Sequence, residues 1–207
     1  MKCWRCNGTG SIAVEFRDVG WVSKVCPICH GKGEESLSNQ DILILVDIQN
    51  GLCNEFTRPI LERLCPFLAE YRFEKVIATK FINTPDSLFQ KELEYRGLVT
   101  AEDRRLADGI LPFVSAVYLK DRYDCIDDVF LQQLRLLNDG VMPEQVLLAG
   151  MDTEACILMM AAGLFDRGIR PIVLADFVAS SQGEDAHLNG LSVLETLIGK
   201  HNLLRLG

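Results

Sequence analysis

The sequence predicts an α/β protein: helices on both faces of a mostly parallel six-stranded sheet, three layers in all, preceded by a small β-hairpin module. Three observations predict it. Beyond residue 40, strand-like apolar runs alternate with segments of helical periodicity. Most of those runs are continuously apolar rather than alternating, as in strands covered on both faces. The first 36 residues differ from the rest, holding two C-x-x-C pairs and four of the eight cysteines.

The expected strands are ILILVD (42–47), KVIATK (75–80), VSAVYLK (114–120), QVLLAG (145–150), RPIVLAD (170–176) and a last one at LLRL (203–206). Helices are expected near 55–71, 86–95, 124–138, 154–167 and 184–199. In the fourth, Ile157, Met160, Ala161, Leu164 and Phe165 recur at helical spacing, and Gly168 supplies a stop. Right-handed crossovers then place chemistry at the carboxyl ends of the strands. The polar stretch ESLSNQ (35–40) reads as a linker, giving a module over 1–36 and a main domain over 37–207.

Charge narrows the partners. The 207-residue chain carries a net charge of -8. Residues 1–36 hold five Lys/Arg against four Asp/Glu, a net of +1, so the remainder carries -9. That balance argues against nucleic acid or an anionic membrane as partner. No apolar run reaches the roughly 18–20 residues that span a bilayer, and MKCWRCNGTG does not read as a secretory signal. A cytoplasmic protein is expected, with reduced thiols.

CWRCNGTG (3–10) and CPICHGKG (26–33) repeat one phrase, C-x-x-C-x-G-x-G. Four thiolates in two such pairs suit tetrahedral zinc, with Cys3, Cys6, Cys26 and Cys29 as ligands. SIAVEF and GWVSKV lie between the pairs and read as a hairpin that brings them together. The stretch resembles the zinc-binding repeats of DnaJ-type chaperones over residues 3–33. Two repeats rather than four imply one structural zinc per chain and no chaperone activity. Trp4 and Trp21 read as hairpin packing, or else as a contact with another surface.

The main domain presents ionisable groups where strands end. Asp47 follows five apolar residues, and Lys120 ends VYLK. After Gly150 the chain turns, and Thr153 is a plausible N-cap. Cys156 then falls in the first helical turn, where the macrodipole favours a thiolate and N–H groups suit an oxyanion. Read alone, Cys156 is equally a small core residue, Asp47 a turn cap and Lys120 an exposed charge. Together, an acid, an amine and a thiol at three strand ends are the parts of covalent amide hydrolysis.

Residues 41–200 resemble the isochorismatase-like cysteine hydrolases, which include nicotinamidases and N-carbamoylsarcosine amidase. The matching motifs are DIQN (47–50), Lys120 within YLKDRYD, GMDTEAC (150–156) and the AAGLFDRGIRPIVLAD that follows. The resemblance implies Asp47 as base, Lys120 as its electrostatic partner and Cys156 as nucleophile. It implies a cis peptide at Met151–Asp152 and an oxyanion hole of the Asp152 and Cys156 backbone N–H groups. It also implies an oligomer, and a small-molecule amide or ureide as substrate. Nicotinamidases carry metal ligands in a T-x-D-W-H pattern. This chain has TKFINTPDSLF (79–89), with Phe81, Asn83 and Ser87 at those positions, so no catalytic metal is expected. His187 and His201 read as surface or local structural residues. Asn50, Phe81, Asn83 and Tyr123, just past strand ends, are the candidate substrate-binding residues. Cys53, Cys65 and Cys125 match no motif.

The expected activity is a metal-independent cysteine amidase with a thioester intermediate. The alternative is a catalytically weak relative whose zinc module recognises a protein or nucleic acid. The first expects a Cys156 of lowered pKa, labelled fastest by iodoacetamide and more slowly in Asp47→Asn; the second expects an ordinary thiol.

Overall fold

The computed structural model describes residues 9–16, 20–25 and 37–206. The chain divides into two compact units, Met1–Ser38 and Asn39–Gly207.

In the first unit, β1 (Ser11–Phe16) and β2 (Gly20–Val25) pair antiparallel, with Ser11 opposite Val25 and Phe16 opposite Gly20. These are the two stretches expected as a hairpin. Trp21 is 69% exposed, so it is not the packing residue expected of it. Cys3, Cys6, Cys26, Cys29 and Trp4 lie outside the described residues.

The second unit begins with β3 (Ile42–Val46), a run buried throughout. α1 (Arg58–Tyr71), β4 (Lys75–Phe81), the single turn α2 (Leu88–Lys91), β5 (Ala116–Lys120) and α3 (Asp128–Leu137) follow. Then come β6 (Gln145–Met151), α4 (Leu158–Asp166), β7 (Arg170–Ala179), α5 (Glu184–Leu194) and the two-residue β8 (Leu203–Leu204). The six strands lie in the order β5-β4-β3-β6-β7-β8, and every pairing is parallel.

Strand alternation sorts the core. Ile42, Ile44 and Val46 enter one cluster with Phe130 and Leu134 of α3, Leu164 of α4 and Leu194 of α5. Leu43 and Leu45, fully buried, point to the opposite face. There α1 packs, its Phe67 ring stacking on Phe177 of β7 at 4.4 Å. The three layers are those the apolar runs predict.

Two helical expectations change. Residues 86–95 hold one helical turn, because the Asn83 side-chain amide donates to the Tyr95 and Gly97 carbonyls at 3.0 and 2.9 Å and draws the chain aside. The segment expected to start at a Thr153 cap opens instead as a wide turn over Thr153–Ile157, with α4 only from Leu158. Thr153 is buried and its hydroxyl lies 2.8 Å from His187 Nδ1 on α5, so it caps nothing. Gly168 (φ 73°) does stop the helix as expected.

Chain order reverses between β3 and β6: successive strands move outward from β3 to β5, then resume at β6 on the other side. Such a switch point leaves a crevice at the strands' carboxyl ends. At Gly150 (φ 126°) the two backbones are so close that a Cβ would overlap the Val46 carbonyl.

Candidate active site

Asp47 follows β3 at this crevice. It is fully buried and adopts φ 50°. Thr79 of β4 orients it twice: the Asp47 N–H donates to Thr79 Oγ1 at 3.1 Å, and the Thr79 hydroxyl donates to Asp47 Oδ1 at 2.7 Å. Lys120 ends β5, beyond β4, and its long side chain returns to place Nζ 2.6 Å from Asp47 Oδ2. The same ammonium donates to Cys156 Sγ at 3.0 Å and to the Arg122 carbonyl at 3.2 Å. It also lies 5.5 Å from the Phe81 ring centroid. The three residues singled out at strand ends therefore meet at one ammonium.

Asp47 Oδ2 contacts Lys120 as an ion pair but takes no aligned hydrogen bond, although it is buried. A carboxylate oxygen in that position keeps a lone pair for a further proton. Gln49, from the same D-I-Q-N motif, ties β4 to the site: the Phe81 N–H donates to Gln49 Oε1 at 2.8 Å, and Gln49 Nε2 donates to the Phe81 carbonyl at 3.0 Å.

The peptide bond between Met151 and Asp152 is cis. The Asp152 carbonyl accepts the N–H groups of Ala155 and Ile157, which sets the wide turn bearing Cys156. The Asp152 carboxylate faces Ser181, accepting its N–H at 2.7 Å and its hydroxyl at 2.8 Å. Burial, opposed by those two bonds and reinforced by Glu154 and Asp47, pushes its pKa up to about 6.

Burial also pushes the Cys156 thiol well above its ordinary value; Asp47 adds to the rise and Lys120 only partly offsets it. This corrects the expectation of a lowered pKa, which took the helix start and the Lys120 ammonium to outweigh burial. Burial alone would lower the Lys120 pKa, but Asp47 and the Cys156 sulfur outweigh it and raise it. The resting cluster is a neutral thiol beside a lysine–aspartate ion pair.

Cys156 is half-buried and lines a cavity of about 520 Å³. Phe81, Phe89, Tyr95 and Tyr123 supply its aromatic wall. Phe89 stands edge-on to both Phe81 and Tyr123, at 4.8 Å in each case. Leu52, Leu93, Leu98 and Met159 add apolar surface, and Asp152, Glu154 and Gln182 complete the wall. Of the four candidate substrate-binding residues, Phe81 and Tyr123 line this cavity. Asn50 and Asn83 do not. The Asn50 amide donates to Glu102 at 2.8 Å, and that of Asn83 is held within the 95–97 loop. Phe89 and Tyr95 were hidden in a segment that reads as helix.

The positions that carry metal ligands in nicotinamidases do not fit a metal here. Phe81 offers no donor atom, and the Ser87 hydroxyl donates to Asn83 Oδ1 at 2.9 Å, so both polar groups serve the loop. Among the described residues, no helix is long and apolar enough to cross a membrane.

Comparison with known proteins agrees with this fold. Residues 41–200 match the isochorismatase domain model. No curated protein sequence matches the chain. Among solved structures, an isochorismatase-like hydrolase from Alkaliphilus metalliredigens is similar at 16% identity and TM-score 0.63, over 76% of this chain and 91% of that one. A nicotinamidase from Bacillus subtilis is similar at 19% identity and TM-score 0.63, over 77% and 97%. A protein from L. infantum solved in complex with nicotinate is similar at 16% identity and TM-score 0.64, over 82% and 98%. At such identities the likeness establishes the fold.

Proposed function

The chain belongs to the isochorismatase domain family, and from that premise we propose that it is a metal-independent cysteine hydrolase cleaving a small amide or ureide C–N bond. One observation carries the reading: a single buried ammonium touches both Asp47 and Cys156, beside an apolar cavity that Cys156 lines.

A thiol whose pKa is raised needs a base, and the Asp47 carboxylate supports that role. Its carboxylate takes the Cys156 proton as the sulfur adds to the substrate carbonyl, so the thiolate forms only when it is used. Lys120 stays protonated and keeps the two anionic centres compatible. The tetrahedral oxyanion is received by the backbone N–H groups of Asp152 and Cys156. As the C–N bond breaks, Asp47 returns the proton to the departing nitrogen, and ammonia or an amine leaves. A thioester remains. Asp47 then deprotonates a water that adds to it; collapse releases the acid, and the proton goes back to the sulfur.

The test is ammonia release from a panel of small primary amides and ureides, with Cys156→Ala as the blank. Release that vanishes in the variant, with an acyl adduct on the Cys156 peptide after rapid quenching, is expected. Compounds that bind the cavity yet leave Cys156 unmodified and release nothing would reject the reading.

A further inference from the structure

We infer that the cavity selects an amide bearing a positively charged group and rejects its anionic counterpart. The inference rests on the hydrolase reading for the scissile bond, but its carrier is the wall of the cavity.

Two of the polar side chains in that wall are carboxylates, Asp152 and Glu154. Among the described residues, no Lys, Arg or His side chain belongs to the wall. Lys120 lies against Cys156 behind the wall, and its ammonium is already engaged by Asp47, Cys156 and the Arg122 carbonyl. The Asp47 carboxylate 2.6 Å away already balances its charge, so it offers no free positive charge to a substrate carboxylate. Arg104 is not part of the wall; its Nε donates to the Leu98 carbonyl at 2.8 Å and a terminal nitrogen to the Asn83 carbonyl at 2.9 Å, which ties it to the loop backbone. An anion entering this space would lose its water and meet two carboxylates with no counter-charge.

A cation meets the reverse. Glu154 accepts the Ser180 hydroxyl at 2.7 Å through Oε1, while its buried Oε2 has no hydrogen-bond partner among the described residues. A buried acceptor without a donor is a costly arrangement, and Glu154 lines the cavity, so a turn of its carboxylate toward a ligand N–H would relieve it. The faces of Phe81, Phe89, Tyr95 and Tyr123 add the attraction of aromatic rings for an organic cation. Burial first, then the charges of Asp152 and Asp47, pushes the Tyr95 hydroxyl up to about 12, so the field of the acids reaches this ring.

Three probes of one shape separate charge from size: para-methylbenzamide, para-(aminomethyl)benzamide and para-carboxybenzamide. Calorimetric titration into Cys156→Ala reads binding without turnover. The ammonium compound is expected to bind about tenfold more tightly than the neutral one, with no detectable binding of the carboxylate. Glu154→Gln is expected to shrink the ammonium preference. Equal or tighter binding of the carboxylate, or an ammonium compound no tighter than the neutral one, would overturn the inference. Ammonia release by the wild-type chain is read in parallel. Tight binding of the cation without release leaves the selectivity standing and rejects the hydrolase; release that favours the carboxylate does the opposite.

Discussion

Lys120 Nζ lies 2.6 Å from Asp47 Oδ2, and each side chain is 1% exposed. Such a pair gains little net stability from forming, because both charges leave water, yet removing one partner strands the other. Lys120→Met is therefore expected to destabilise the fold by about 3–5 kcal/mol, lowering Tm by about 10 °C. Adding Asp47→Asn to it is expected to restore most of that loss. Thermal melts of the two single variants and the double variant measure the coupling. A Lys120→Met melt equal to wild type would show that the pair is not closed to solvent.

Gly150 tests the backbone frame. It holds φ 126°, and a Cβ there would overlap the Val46 carbonyl across the β3–β6 pairing. Gly150→Ala is expected to cost about 3 kcal/mol or more and to disturb the spacing of Asp47 and Cys156, which follow the two strands. Urea unfolding gives the first effect. Loss of ammonia release in protein still folded at low urea gives the second.

The parts of the fold legible in the sequence were those fixed by local pattern. ILILV is apolar at every position because both sheet faces are covered, and it is a strand buried throughout. Asp47 and Lys120 are legible the same way, since an ionisable group closing an apolar run is visible without coordinates, whereas Cys156 stands out only through the turn and motif that follow Gly150. Contacts across many residues were not legible. Asn83 reads as a pocket amide, but it holds the Tyr95 and Gly97 carbonyls. That bond dissolves an expected helix and delivers Phe89 and Tyr95 to the cavity wall. The direction of the Cys156 pKa is not legible for a related reason. Its place at a helix start is local information, whereas burial and Asp47, which decide the direction, are tertiary.

Asp152 makes a pH-dependent contribution of definite sign. Its carboxyl titrates at 3.8 in an ordinary setting and at about 6 in the fold. Between those values the folded chain holds more protons than the unfolded chain, so stability falls as pH rises through this range and stays lower above it. The difference corresponds to about 3 kcal/mol. Asp152→Asn is expected to remove that decline, so that the variant gains on wild type between pH 4 and pH 7. Urea midpoints at the two pH values check it; parallel midpoints for the two proteins would refute it.

The repeated C-x-x-C-x-G-x-G phrase makes a prediction that needs only chemical analysis. We propose that Cys3, Cys6, Cys26 and Cys29 hold one structural zinc. Metal analysis of protein prepared without oxygen is expected to find about one zinc per chain, lost in Cys26→Ser. Two zincs per chain, or none, would reject the single site.

The sharpest test of the cluster is that one substitution should move two rates in opposite directions. Asp47 raises the Cys156 pKa, while Lys120 lowers it. Asp47→Asn removes the carboxylate and keeps the ammonium 3.0 Å from the sulfur. The thiol pKa must then fall, and a larger fraction is thiolate at neutral pH. Iodoacetamide, which needs only a thiolate, is expected to label Cys156 faster in Asp47→Asn than in wild type, reversing the order expected if Asp47 activates the resting thiol. Amide hydrolysis, which needs a base to shuttle the proton to the departing nitrogen, is expected to drop by several orders of magnitude. Labelling with time, read by mass on the Cys156 peptide, and ammonia release on the same samples give both rates. If both fall together, Asp47 acts by activating the thiol in the resting protein, and the neutral-thiol description of the cluster is wrong.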